Sequence, residues 1–197
     1  MGAYSPSRLI SSQLETKIIN KIIKPTLEYL KKENGIYIGF LYAGLMIKDT
    51  EPYLIEYNVR MGDPECQTIL PLLNNDLLEL INNCVDGTLD KLDISWQDKK
   101  SICIVLTSKG YPEKFKKNVK IKNLEKVVPK INQYIFHAGT KFSNEEFFSN
   151  GGRVLNFVTI DSNFKLAKEK SIDLIKNLNW ENGYYRNDIG YKVINNK

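Results

Sequence analysis

The sequence predicts an α+β protein whose sheets are mainly antiparallel. Two stretches, 12–34 and 163–178, repeat apolar residues at helical spacing and predict amphipathic helices. The apolar runs 36–47 and 53–58, joined by a turn, predict an antiparallel hairpin. Beyond residue 100, short strands alternate with turns, which indicates a second, small β-rich unit on which the 163–178 helix packs.

Local signals define the first helix. Residues 1–11 are polar and predict a loop before it. Ser12, followed three residues later by Glu15, forms a capping box at its start. Pro25 should bend or interrupt the helix, because proline lacks the backbone N–H, and Gly35 should end it.

Two further helices are predicted before a domain boundary. Asp63 followed by Pro64 suits a helix start, and 74–85 reads as a helix that Gly87 ends. The polar stretch 88–100 then divides the chain into two expected domains, 1–95 and 96–197. Predicted strands of the second domain lie at 101–107, 119–121, 134–138 and 153–160, and 184–194 is predicted to close the chain as a strand pair.

Composition describes a soluble globular protein, with 42% hydrophobic and 26% charged residues among 197. No apolar run approaches the roughly 20 residues that span a bilayer, and no signal-peptide layout opens the chain, so we expect a cytoplasmic protein without a membrane partner. A truncated start would hide a targeting segment. Cys66, Cys84 and Cys103 are widely separated, and we expect reduced, buried thiols.

The formal charge of +5 is concentrated between residues 109 and 130, where lysines are frequent. Such a cluster can follow a nucleic-acid backbone or attract an anionic small molecule. Only Tyr111 and Phe115 interleave the lysines, so the aromatic platform of a single-strand binder is not evident. We therefore expect a solvated basic surface and no specific nucleic-acid partner.

The most informative segment is the strand predicted at 53–58 and its continuation. Side chains alternate along a strand, so Glu56, Asn58 and Arg60 should share one face while the intervening residues are apolar. A carboxylate and an amide oxygen two residues apart can share one hard cation such as magnesium. The alternative is a solvated edge strand with a surface glutamate and arginine.

Four segments resemble one known family. They are 1–6 (Met-Gly-Ala-Tyr-Ser-Pro), 39–46 with 55–65 (ending Arg-Met-Gly-Asp-Pro-Glu), 136–140 (Phe-His-Ala-Gly-Thr) and 150–155 (Asn-Gly-Gly-Arg-Val-Leu). In this order they closely resemble the phosphoribosylamine-glycine ligases, ATP-grasp enzymes of purine biosynthesis. The resemblance covers 1–197 but only about the C-terminal half of the family's usual length. It implies a truncated chain, a proteolytic remnant or one half of a split enzyme.

The resemblance implies a fold and a metal site. The fold would be the C-terminal lobe of an ATP-grasp domain followed by a small, mainly antiparallel β domain with a packed helix. Glu56 and Asn58 would bind Mg²⁺ or Mn²⁺ that bridges the phosphates of ATP. Many ATP-grasp enzymes carry another acidic ligand about thirteen residues earlier, and here that position is Ala43.

The resemblance suggests substrate contacts at Arg60 and Asp63, and the residues themselves indicate a second place that could meet a phosphate. Arg60 would neutralise a glycyl phosphate, and Asp63 would orient the attacking amine or merely cap its helix. Lys141 and the turn Gly151, Gly152 and Arg153 could bind a phosphate through backbone amides and a cation, although Asn150-Gly151 also signals a β-hairpin turn. His137, the only histidine, is expected to be packed or hydrogen-bonded rather than a base.

By resemblance, the complete enzyme joins glycine to 5-phosphoribosylamine with cleavage of ATP. Its partners would include the missing N-terminal half, in cis or in trans. The alternative is a non-catalytic fragment that serves binding or assembly, or a basic domain that contacts nucleic acid. Hydrolase chemistry has little support, because the chain has one histidine and no serine elbow.

Overall fold

A computed structural model describes residues 1–194, which form two compact units that interleave along the chain. The helix-hairpin unit contains residues 7–63 and 73–96. The sheet unit contains residues 1–6, 64–72 and the described residues from 97 onward. The predicted boundary at 95/96 lies beside the change of unit at 96/97. The division into domains 1–95 and 96–197, the latter reaching three residues outside the described part, stays a prediction.

Helices and strands alternate in groups along the chain. The helices are α1 Ser12–Ile18, α2 Lys24–Asn34, α3 Glu65–Ile69, α4 Leu77–Asp86, α5 Phe164–Lys176 and α6 Tyr191–Ile194, with a π-helical stretch Ile19–Ile23 and 3₁₀ turns Leu70–Leu72, Leu89–Lys91 and Leu124–Lys126. The strands are β1 Gly2–Ser5, β2 Tyr42–Lys48, β3 Glu51–Asn58, β4 Lys100–Ser108, β5 Val119–Ile121, β6 Gln133–His137, β7 Thr140–Ser143, β8 Glu146–Ser149, β9 Arg153–Asp161 and β10 Gly183–Tyr184. The predicted long helix, hairpin and β-rich unit are all present.

In the helix-hairpin unit, α1, the π-helical stretch and α2 follow one another without a break. Ser11 caps α1 by accepting a hydrogen bond from the backbone N–H of Leu14 at 3.2 Å, so the cap lies one residue before the predicted Ser12. The π-helical stretch ends directly before α2, which carries Pro25 in its first turn. The predicted interruption is therefore a local change of helical hydrogen bonding.

The sheet unit contains two antiparallel sheets. The larger has the order β1-β4-β9-β6, with β10 paired to the end of β4, and the smaller has the order β5-β8-β7. Helix α5 packs against β4 and β9, and α3 packs against β1 and β4. These contacts explain why residues 1–6 and 64–72 belong to this unit.

The core lies along the two central strands. All residues of β4 from Ser101 to Ser108, and of β9 from Val154 to Ile160, are buried. A strand covered on both faces has apolar residues on both faces instead of alternation, and β4 shows this as the continuous apolar run 102–106, whereas the apolar run of β9 is interrupted by buried Asn156. On α5, the buried side chains recur at helical spacing, and buried Ser171 donates a hydrogen bond to Thr159 at 2.8 Å.

Three sequence predictions need correction. Residues 1–11 are not all loop, since Gly2 pairs with Ile104 in β1, and a side chain at Gly2 would come within 2.4 Å of the Cys103 carbonyl oxygen. The stretch 184–194 is not a strand pair, because β10 contains two residues and α6 follows it. Cys66 and Cys84 are only partly buried, although Cys103 is fully buried.

Among the described residues 1–194, none of the helices has the length and apolar character that a membrane-spanning segment requires.

We predict that Phe157→Ala lowers the free energy of unfolding by about 3–5 kcal/mol, because it leaves a cavity between β9 and α5. Phe157 is 0% exposed and belongs to the largest apolar cluster. Urea denaturation followed by circular dichroism measures the change. Ile131→Ala is the matched control, since Ile131 is 92% exposed and its loss should change stability by less than about 0.5 kcal/mol.

Candidate functional site

The hairpin places Glu56 and Asn58 on the same face of β3, which we call the polar face. The Asn58 amide nitrogen donates a hydrogen bond to Glu56 Oε1 at 3.2 Å. Glu56 is exposed and Asn58 is half-buried. The two side chains predicted as metal ligands are therefore within contact of each other and accessible from solvent.

The facing strand makes room for this pair. Gly44 lies opposite Glu56, and Tyr42 lies opposite Asn58. A Cβ at Gly44 would stand 3.1 Å from Glu56 Cγ, closer than side chains normally approach. Ala43 lies opposite Tyr57 and so faces away from the polar face. The position expected for a further acidic ligand thus does not face Glu56.

The opposite side of β3 is anchored to the helices. The Tyr57 hydroxyl lies 2.7 Å from Thr26 Oγ1 and donates to the Ile22 carbonyl at 3.3 Å. Thr26 also donates to the same carbonyl, which belongs to the π-helical stretch. This anchor fixes which face of β3 carries Glu56. The alternation of the sequence predicts only an apolar face for Tyr57, although a buried tyrosine hydroxyl usually has a hydrogen-bond partner.

Charge pairs hold the start of the same strand. Lys17 contacts Glu51 Oε1 at 2.5 Å, and Lys21 contacts Oε2 at 3.4 Å. The hydrogen bond from Lys17 lowers the pKa of the Glu51 carboxyl below its usual value. Because the folded pKa is lowered, this pairing stabilises the fold at neutral pH and is lost as the pH falls through that lowered pKa.

The polar face suits a partial metal site. Glu56 supplies carboxylate oxygens, and rotation of the Asn58 amide would present its oxygen to the same cation. Magnesium commonly takes one or two protein ligands and leaves its other positions to water and phosphate. The described residues contain no group of three or more His, Cys, Asp or Glu side chains arranged for a metal. The polar face can therefore offer two protein ligands, Glu56 and Asn58, to a metal ion.

Arg60 and Asp63 follow the hairpin in the same unit but not on its strand. Strand β3 ends at Asn58, so the alternation that grouped Arg60 with the polar face stops before it. The Arg60 guanidinium donates to the Met61 carbonyl at 2.9 Å. Asp63 is exposed, and the N-cap of α3 is Pro64 instead of the predicted Asp63.

The turn at Gly151 and Gly152, which we call the glycine turn, belongs to the sheet unit and joins its two sheets. It connects β8 to β9, which pair with different neighbours, so the predicted hairpin reading is wrong. A Cβ at Gly139 would stand 2.7 Å from Gly151 Cα, and one at Gly152 would stand 2.1 Å from the Tyr111 ring. Ser108 fixes the turn by donating from Oγ to the Gly151 carbonyl at 2.9 Å. Close packing therefore favours glycine at these positions, against backbone at Gly139 and against the Tyr111 ring at Gly152.

The basic residues near this turn differ in exposure. Arg153 is half-buried, opposite Thr107, and its guanidinium contacts the sulfur of Met1 at 3.7 Å. Lys141 is exposed on β7. His137 Nδ1 lies 2.8 Å from Thr140 Oγ1, in line with the hydrogen-bonded role expected for it. The structure thus brings Glu56 and Asn58 together in one unit, and the glycine turn with Arg153 in the other.

Comparison with known proteins first defines the class. A biotin carboxylase domain of a thermophilic 2-oxoglutarate carboxylase shares the fold, with a TM-score of 0.64 and 13% identity over 94% of this chain and 40% of that chain. Residues 1–66 match the ATP-grasp (A) domain of phosphoribosylglycinamide synthetase, so the fold is of the ATP-grasp class, as predicted.

The family follows from the second half of the chain. Residues 101–192 match the C domain of phosphoribosylglycinamide synthetase, the same enzyme as the first match. The chain belongs to the phosphoribosylglycinamide synthetase family.

Individual relatives agree with this assignment. The chain is 41% identical to phosphoribosylamine-glycine ligase of Fusobacterium nucleatum and 37% identical to that of Brucella melitensis, over 96% and 98% of this chain. The crystal structure of the enzyme from Thermotoga maritima matches with a TM-score of 0.83 and 31% identity, over 96% of this chain and 46% of that chain. This chain spans about 45% of the length of the curated relatives it matches.

We predict that Gly152→Ala lowers the free energy of unfolding by about 1–3 kcal/mol, because the added Cβ collides with the Tyr111 ring. Thermal or urea unfolding of the chain measures the loss. In a Tyr111→Ala background the same substitution should cost clearly less, since the ring is gone. An equal cost in both backgrounds would show that the ring is not what excludes a side chain at this position.

Proposed function

We propose that this chain forms part of a ligase that joins glycine to 5-phosphoribosylamine with cleavage of ATP to ADP and phosphate. The family membership supports this reaction, and the observation that carries it is the paired Glu56 and Asn58 face opposite Gly44. The curated relatives are more than twice as long as the part matched here, so the proposed enzyme includes a further N-terminal portion, in cis or in trans.

The polar face would hold Mg²⁺ or Mn²⁺ on the phosphates of ATP. Such an ion supplies electrostatic stabilisation to the oxygens of the transferring phosphoryl group. Glu56 contributes the charged ligand, and Asn58 a neutral oxygen after its amide rotates. Tyr57 keeps both side chains on the accessible face of β3 by its bond to the helices.

The acyl transfer then needs a cation and an orienting group. The carboxylate of glycine would attack the γ-phosphoryl group to give glycyl phosphate, and Arg60 would neutralise the charge on its oxygens. Asp63, which is exposed at the start of α3, would accept a hydrogen bond from the attacking amine. Displacement of phosphate by that amine forms the amide bond.

The sheet unit would recognise the 5-phosphate of phosphoribosylamine. The backbone of Gly151 and Gly152 lies against Gly139 and Tyr111, which keeps the turn rigid, and Arg153 adds a cation next to it. Lys141 is exposed and would serve as a second cation. A rigid turn with an adjacent guanidinium suits a dianionic phosphate.

We predict that Glu56→Gln or Asn58→Ala lowers kcat by about 10² or more in a full-length ligase that contains this chain, because each change weakens the hold on a charge-stabilising metal. Steady-state kinetics measure the effect. Glu51→Gln, on the same strand but paired with Lys17, is the control and should leave kcat nearly unchanged. Normal turnover in both site variants would refute the metal assignment.

We predict that Arg153→Ala raises KM for phosphoribosylamine by one to two powers of ten, or about 1.5–3 kcal/mol for a lost charge-assisted hydrogen bond. KM for ATP and for glycine should change little. The exposed Lys165→Ala on α5 controls for a simple loss of positive charge. Loss of ATP affinity, or unchanged kinetics, would mean that the turn is structural and would make Lys141 the next residue to test.

A further inference from the structure

We infer that a cavity in the sheet unit binds a small phosphorylated anion through lysine side chains and the buried N–H groups of Trp180 and Asn182. The cavity has a volume of about 520 Å³. It lies between the basic segment, which we define as residues 109–122 after the end of β4, and residues 179–182 after α5. This volume is within the range of small-molecule sites in proteins.

The charge around the cavity is mainly positive. Four lysines line it, namely Lys109, Lys116, Lys120 and Lys122. Glu181 is the carboxylate in the lining, and Lys120 forms an ion pair with Glu146 on β8. After these two acidic groups are counted against the lysines, two positive charges remain, which suits a ligand with two negative charges.

Two buried donors belong to residues that line the cavity, Trp180 and Asn182. Trp180 is 8% exposed and belongs to the main apolar cluster of the unit. The indole N–H of Trp180 and the amide nitrogen of Asn182 are buried and have no hydrogen-bond partner among the described residues. A buried donor without an acceptor is destabilising, so an acceptor at this place would be bound favourably. Both orphaned groups are donors, as an anion requires.

Backbone hydrogen bonds hold the two walls of the cavity together. The Lys109 N–H donates to the Asn182 carbonyl at 2.8 Å. Lys122 and Asn179 exchange two backbone hydrogen bonds, each of 3.2 Å. The site is therefore assembled before a ligand arrives, which lowers the entropic cost of binding.

A small phosphorylated molecule fits these features better than a nucleic acid. The Trp180 ring is buried in the core and has no exposed face on which a base could stack. Tyr111 and Phe115, the aromatics of the basic segment, pack edge to face with ring centres 6.2 Å apart. Phosphate groups offer several acceptor oxygens and two negative charges, which match the donors and the net charge of the lining.

The inference goes beyond the proposed function, because neither Lys141 nor the glycine turn lines this cavity. The cavity and the glycine turn are nevertheless linked through the end of β4. Ser108 donates from its backbone N–H to the Gly152 carbonyl, and the next residue, Lys109, donates to Asn182. Occupation of the cavity would thus act on the strand end that also fixes the glycine turn.

Calorimetric titration of the 197-residue chain with inorganic pyrophosphate at 150 mM salt tests the inference. We expect saturable binding of one pyrophosphate per chain with millimolar or tighter affinity. Lys122→Met and Trp180→Phe should each weaken binding at least fivefold, while Lys165→Met, which removes an exposed lysine from α5, should not change it. In a Trp96→Phe background, the emission of Trp180 should change with the same binding curve.

Four results would overturn the inference, and none depends on ligase activity. The first is no saturable binding by the folded wild-type chain. The second is equal weakening by Lys165→Met and Lys122→Met, which indicates general charge attraction. The third is loss of binding in Arg153→Ala while the cavity variants bind normally, which locates the anion at the glycine turn. The fourth is tighter binding of a single-stranded oligonucleotide at the same lysines.

Discussion

The register between β2 and β3 is the constraint on which the candidate site depends. It sets Glu56 against Gly44, where an added Cβ would stand 3.1 Å from Glu56 Cγ, and it brings the Asn58 amide nitrogen within 3.2 Å of the carboxylate. A shift of one residue would turn both side chains to the face where Tyr57 meets the helices. The contacts of the Tyr57 hydroxyl with Thr26 and the Ile22 carbonyl therefore favour the register that leaves Glu56 and Asn58 on the accessible face of β3.

The sheet unit relies on a different constraint, which is close approach of backbones. Gly139 and Gly151 cross where the two sheets meet, and Gly152 lies under the Tyr111 ring. These contacts make the turn rigid, and rigidity is also what recognition of a phosphate needs. A structural requirement for glycine and a binding role are thus compatible in one turn. The basic segment also combines a structural and a binding role, because its backbone bonds to the segment after α5 and its lysines line a cavity next to buried donors.

Much of this was accessible from the sequence, because it depends on local patterns. Helix α5 follows from helical periodicity, the hairpin from two apolar runs joined by a turn, and the shared face of Glu56 and Asn58 from alternation. The missed features depend on distant partners. Strand β1 exists because it pairs with β4, and neither Gly44 nor Tyr111 reveals its role until the chain is folded. Arg60 was grouped with the strand because the end of β3 is not marked in the sequence.

The most direct test of the account is whether a divalent ion binds the polar face of this chain. Nuclear magnetic resonance of the ¹⁵N-labelled chain with Mn²⁺ and ADP reports this through paramagnetic broadening. We expect broadening centred on residues 55–59 and the Asn58 side-chain amide, at millimolar metal, because only two protein ligands are offered. Glu56→Gln should remove it. Broadening centred elsewhere, or unchanged by Glu56→Gln, would contradict the assignment of the site.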